Sequence, residues 1–154
     1  MDFEWDEIGR GLATLVPVVI FLVINLLFRK QQAQKRRLTT MRSLVSEIDY
    51  NQKLVEAFSF RGQLKNFKTG TWKRNKGKLD YLAPDLQNAL ADAYGIAEGF
   101  NREIDAAKKH KSAGYLVNIQ ADRLSKPLAR CQQGLEEWLQ LNKGKEKIFR
   151  GGPV

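Results

Sequence analysis

The sequence predicts an all-α protein, an N-terminal transmembrane helix followed by an antiparallel three- to four-helix bundle. Three observations point there. Gly11 to Phe28 is an 18-residue run without a charge, and Arg29-Lys30 follow at once. Beyond it, apolar residues recur at steps of three and four, the period of a helix with one buried face. Opposite charges such as Asp49/Lys53, Glu98/Arg102, Asp105/Lys109 and Asp122/Lys126 stand one turn apart on the remaining faces.

The apolar run comes first. At about 1.5 Å per helical residue it reaches roughly 27 Å, close to the hydrocarbon thickness of a bilayer. A cleaved signal peptide would need a basic start and a small-residue cleavage site. Here the start is acidic (Asp2, Glu4, Asp6, Glu7 against Arg10), and Phe28-Arg29-Lys30 closes the run. A buried core helix seldom carries such a wall of Val, Ile, Leu and Phe ending in cations. A retained single-pass anchor is the expectation. Arg29, Lys30, Lys35, Arg36 and Arg37 outweigh Arg10, which orients the N-terminus outside and the C-terminus in the cytoplasm of a cell-membrane protein. The predicted division is an extracytoplasmic 1–10, a span 11–28, a cytoplasmic bundle 29–142 and a basic flexible tail 143–154.

The first cytoplasmic helix, about 30–60, buries Leu38, Met41, Val45, Ile48, Gln52 and Val55, with Leu44, Leu54 and Phe58 widening the stripe. Good helix formers join it to the span without a break. A second helix, 84–110, opens at Pro84-Asp85, with proline in the first turn and an acid at the positive dipole end. Leu86, Leu90, Ala93, Ala97, Phe100, Ile104 and Ala107 form its seam, and Gly95 and Gly99 beside the alanines would admit a close neighbour. The third helix, 113–142, is expected to start near Ser112. Val117, Ala121, Leu124, Leu128, Cys131, Leu135 and Trp138 line it, and Pro127 should kink or break it near Leu124–Ser125.

Charge is uneven. Of the net +9, residues 1–10 hold −3 and residues 29–154 hold +12. One cysteine excludes a disulfide framework, and no CxxC or Cys/His cluster is present. His110 stands among lysines without a second ligand, Cys131 falls on a core position, and the carboxylate pairs fan outward along helices. Gly62, Gly70 and Gly77 form no phosphate-loop spacing. No catalytic constellation, metal site, cofactor or small-molecule substrate is expected.

The best functional candidate is the loop 61–78. It carries Arg61, Lys65, Lys68, Lys73, Arg74, Lys76 and Lys78 without an acid, and Phe67 and Trp72 are interleaved. Cations attract a polyanion or acidic partner, and exposed rings would stack on bases. Alternatively, the rings fold back to plug the bundle end. A straight first helix would put this loop roughly 45 Å from the membrane, far beyond a Debye length of about 8 Å. An antiparallel second helix would return Lys108, Lys109 and Lys111 to join Arg29, Lys30, Lys35, Arg36 and Arg37 as a lipid-facing collar.

Glu47-Ile48, Asn51, Leu54, Phe67-Lys68-Thr69, Trp72, Tyr94 and Asn101 form a loose pattern over about residues 44–105. It resembles small prokaryotic single-pass membrane proteins with a helical cytoplasmic domain, which have no assigned activity. That resemblance implies a fold and an address only. The expected role is therefore non-enzymatic: a membrane-anchored interaction or scaffold module contacting lipid and a protein partner or second copy. The alternative is a membrane-tethered nucleic-acid or polyanion binder acting through 61–78.

Overall fold

The computed structural model describes the backbone of residues 5–58, 65–116 and 119–150, and the side chains of 16–58, 65–112, 114–116 and 119–143. Four α-helices are present among them: α1 Trp5–Glu56, α2 Gly70–Asn75, α3 Pro84–His110 and α4 Asp122–Arg150. Short 3₁₀ turns follow α2 at Lys76–Lys78 and α3 at Ala113–Leu116. The chain divides into two compact units, Met1–Arg37 and Leu38–Val154.

In the first unit, none of the described side chains, 16–37, is buried. Its large apolar residues from Val16 to Phe28 lie 45–65% exposed. α1 is the one helix among the described residues long and apolar enough to cross a membrane, by length and composition.

The second unit has a continuous core. Met41, Leu44, Ile48 and Val55 of α1 meet Leu90, Ala93, Tyr94, Ala97 and Ile104 of α3, and Leu124, Leu128, Cys131 and Leu135 of α4. Most of the seam positions expected from the sequence are buried, because helical period places each set on one face. Val45, Gln52, Leu86, Phe100 and Trp138 are only half-buried, and Asn51 rather than Gln52 takes the core position on α1. Gly95 and Gly99 are not the point of close approach, since a Cβ at Gly95 would meet open space. Gly134 is: a Cβ there would lie 2.8 Å from the Leu86 side chain, so α3 and α4 touch where α4 has no side chain.

Helix direction departs from expectation. α3 and α4 are antiparallel, since Leu86 adjoins Gly134 while the earlier Tyr81 ring lies 5.6 Å from Trp138. α1 and α3, however, run the same way. Glu47 bonds the backbone of Trp72, whose indole stacks on Tyr94; Asn51 bonds Lys68, whose neighbour Phe67 bonds Asn101. Rising numbers on α1 therefore match rising numbers on α3. The chain regains its starting end through 65–83, which runs back along the bundle. An antiparallel α1–α3 pair fails because this return segment, and not α3, makes the reverse pass.

Three boundaries also move. Residues 70–78 of the expected loop are helical as α2 and its 3₁₀ turn. The last helix starts at Asp122 and contains Pro127, which neither ends nor begins it; buried Leu124 and Leu128 flank the proline and offset one lost backbone bond. Its backbone stays helical to Arg150, into the segment expected to be a flexible tail. Ser112 caps the intervening 3₁₀ turn instead, accepting the Gly114 N–H at 3.3 Å.

Candidate functional site

The residues that organise the expected basic loop are polar and buried. Glu47, on α1, is 7% exposed and Asn51 is fully buried. A helix as short as α2 exposes N–H groups at its start. Glu47 accepts two of them, Thr71 N–H at 2.8 Å and Trp72 N–H at 3.2 Å. Its negative charge thus lies at the positive end of the peptide dipoles.

Upstream, two asparagines clamp consecutive residues. Asn101 accepts the Phe67 N–H at 2.7 Å and donates to the Phe67 carbonyl at 2.8 Å. Asn51 does the same to Lys68, at 2.7 and 2.8 Å. In an extended chain, neighbouring residues present their backbone groups to opposite sides. One amide from α3 and one from α1 can therefore satisfy both. Asn66 adds a third tie, donating to Asp105 at 2.7 Å and accepting from Lys108 at 2.6 Å.

This clamping decides where the rings point. Phe67 is 2% exposed and lies between Phe58 and Phe100, at 6.2 and 6.0 Å. Trp72 is 9% exposed and stacks flat on Tyr94 at 5.1 Å, 2° between planes. Neither ring offers a face to a nucleic-acid base, so the inward alternative holds for both and they leave the candidate contact set. The cations remain outside: Lys65, Lys68, Lys73, Arg74, Lys76 and Lys78 are exposed. Lys68 Nζ sits 3.9 Å above the Tyr50 ring, and Lys73 lies 4.0 Å from Glu98. They are spread as a stripe along the return segment. Arg61 lies outside the described residues.

Lys108 meets Asn66, at the end of the bundle where α1 finishes. The Lys108–Lys111 turn therefore stands opposite the Leu38 end. With α1 and α3 parallel, α3 carries its C-terminal lysines away from the start of the unit. Arg29, Lys30, Lys35, Arg36 and Arg37 are exposed on α1.

Chemistry elsewhere is sparse. Cys131 is fully buried, and burial pushes its thiol up to about 11, which disfavours the nucleophilic thiolate. His110 is exposed and stacks on Tyr115 at 5.4 Å. Among the described residues, no group of three His, Cys, Asp or Glu side chains is placed to hold a metal ion. The Tyr94 hydroxyl is buried without a hydrogen-bond partner. Burial first, and the nearby Glu47 carboxylate second, hold its phenol above the ordinary range. An unmatched buried hydroxyl costs about 1–3 kcal/mol. Tyr94→Phe is therefore expected to leave the thermal midpoint unchanged or raise it by a few degrees in calorimetry. A marked fall would mean the hydroxyl is bonded in solution.

Comparison with protein-family models, with curated proteins and with solved structures finds no match to this chain. Its residues alone carry the functional argument.

Proposed function

We propose that this protein is a single-pass membrane anchor presenting a helical interaction module, a subunit or recruiter within a membrane-associated assembly. One observation carries the reading: the uncharged Val16–Phe28 surface is uncovered by the chain, while a separate unit beyond Arg37 buries its own core. Lipid is the natural cover for such a surface, since a soluble monomer rarely exposes so large an apolar area. The excess of Lys and Arg after Phe28 favours a cytoplasmic module. Its exposed cationic stripe, Lys65 to Lys78, suits an acidic protein surface or acidic face of a second copy.

The test begins with fractionation of cells expressing the full chain. The protein should remain in the pellet through alkaline carbonate and leave it only with detergent. Protease added outside intact cells should spare the C-terminal module. Recovery in the carbonate supernatant would refute the anchor, and digestion from outside would reverse the orientation. For the recruiter role, cross-linking in membranes should give a defined protein adduct or dimer, lost on replacing Lys73, Arg74, Lys76 and Lys78 by Gln. Nucleic acid as the partner would show instead as binding that falls steeply with salt.

A further inference from the structure

A second polar feature lies beside the return segment, distinct from the cationic stripe as a whole. α1 and the segment Lys68–Thr71 border an open groove of about 470 Å³, within the 300–1,000 Å³ typical of small-ligand sites. Its α1 wall is Thr39, Arg42, Ser43 and Ser46, which at spacings of three, four and seven share one helix face. Lys68 and Thr71 form the opposing wall. Arg42, beside three hydroxyls on the α1 wall, and Lys68, beside Thr71 opposite, thus bring two cations and four hydroxyls to one surface, where an ordinary solvated helix face would mix Glu and Lys. Arg42 and Thr39 each hold a further contact within the chain that a ligand would share or displace.

The one acid in the lining is Glu47. Both its oxygens are engaged by backbone N–H groups of Thr71 and Trp72, so it is held toward the start of α2, and the lining as a whole keeps one net positive charge. Arg74 adds to the positive balance. A Cβ placed on Gly70 would lie 3.4 Å from Arg74 Nη1 and 4.0 Å from Glu47 Oε2, which sets that guanidinium beside the groove. Lys68 is oriented from outside the lining by the Tyr50 ring.

We propose that this groove binds a phosphate monoester. The donor set fits that chemistry. Guanidinium offers a planar fork to two phosphate oxygens, ammonium supplies a point charge, and hydroxyls take the remaining lone pairs. An apolar or cationic ligand would find neither a hydrophobic floor nor free acids. The phosphate comes either from a soluble ester or from a lipid headgroup such as phosphatidate, and the two are separable by experiment. The inference does not depend on what the cationic stripe recruits.

The test uses the full chain in detergent, titrated with glycerol 3-phosphate and inorganic phosphate by calorimetry, and the full chain in nanodiscs with and without phosphatidate. Saturable one-to-one binding is expected for at least one probe. Arg42→Gln and Lys68→Gln should each weaken it at least about tenfold, the scale of one charge-assisted hydrogen bond. Lys76→Gln and Lys78→Gln remove the same charge outside the lining and should change it less than about twofold, the scale of screened surface charge. All four side chains are exposed, so unchanged circular dichroism confirms that each variant folds. Saturation by soluble esters assigns a free metabolite; saturation by phosphatidate alone assigns a headgroup. Absence of saturable binding to every probe overturns the proposal. So does equal weakening by all four variants, which would reveal diffuse attraction without a site.

Discussion

Asn51→Ala and Asn101→Ala are each expected to lower the stability of the helical unit by about 2–4 kcal/mol, because each strands one backbone N–H and one carbonyl. The bonds concerned are the paired contacts to Lys68 and Phe67, all 2.7–2.8 Å. For a unit of this size that is a fall in thermal midpoint of roughly 8–16 °C. Amide exchange over residues 65–72 should accelerate more than exchange in the middle of α3, since the return segment detaches before the core opens. Asn51→Asp is the sharper variant. It keeps an acceptor for the Lys68 N–H but sets a carboxylate oxygen against the Lys68 carbonyl. Repulsion and burial raise the folded-state pKa of that new acid. Stability relative to the parent chain should therefore recover as pH falls through the carboxyl range and be lost as it rises. Parent-like exchange in both Ala variants would show that the clamp contributes nothing to holding the segment.

Trp72→Ala should cost about 3–5 kcal/mol, the range for removing a large buried aromatic, or roughly 12–20 °C in midpoint. The indole is 9% exposed and stacked on Tyr94, while the Trp72 backbone N–H, which donates to Glu47, is kept on truncation. Truncation leaves a void between α2 and α3 without freeing a polar partner. Trp72→Phe should restore most of the loss, because a smaller ring still stacks on Tyr94. If Trp72→Ala melts within about 2 °C of the parent, an effect under 1 kcal/mol, the ring is not seated in the core. It would then be available to a partner after all, and the base-stacking alternative would return.

Much of the fold was legible without coordinates. The α3 limits, Pro84–His110, coincide with the expected 84–110 because proline and an acid mark the start and lysines the end. Core positions such as Met41, Ile48, Ala93, Leu128 and Leu135 follow from period alone. The polar residues at the centre were visible in another guise. Glu47, Asn51, Asn101, Phe67, Trp72 and Tyr94 stood out together in the sequence, and in the fold they hold one segment in place. The signal available was asparagine at a core register: Asn51 stands three residues after Ile48 and four before Val55. A buried amide needs partners, and a chain segment rich in unpaired backbone supplies them.

The uncharged Gly11–Phe28 stretch, the helical phases beyond it and the positive balance of the module are properties of neighbouring residues, so the amino-acid order alone determined them. The direction of α3, the return path through 65–83, the inward turn of Trp72 and the groove beside Arg42 depend on bonds between residues 17 to 34 positions apart. A hydrophobic stripe is compatible with packing a helix in either direction. Only the geometry of buried polar pairs selects one, and that selection exists nowhere but in the folded chain.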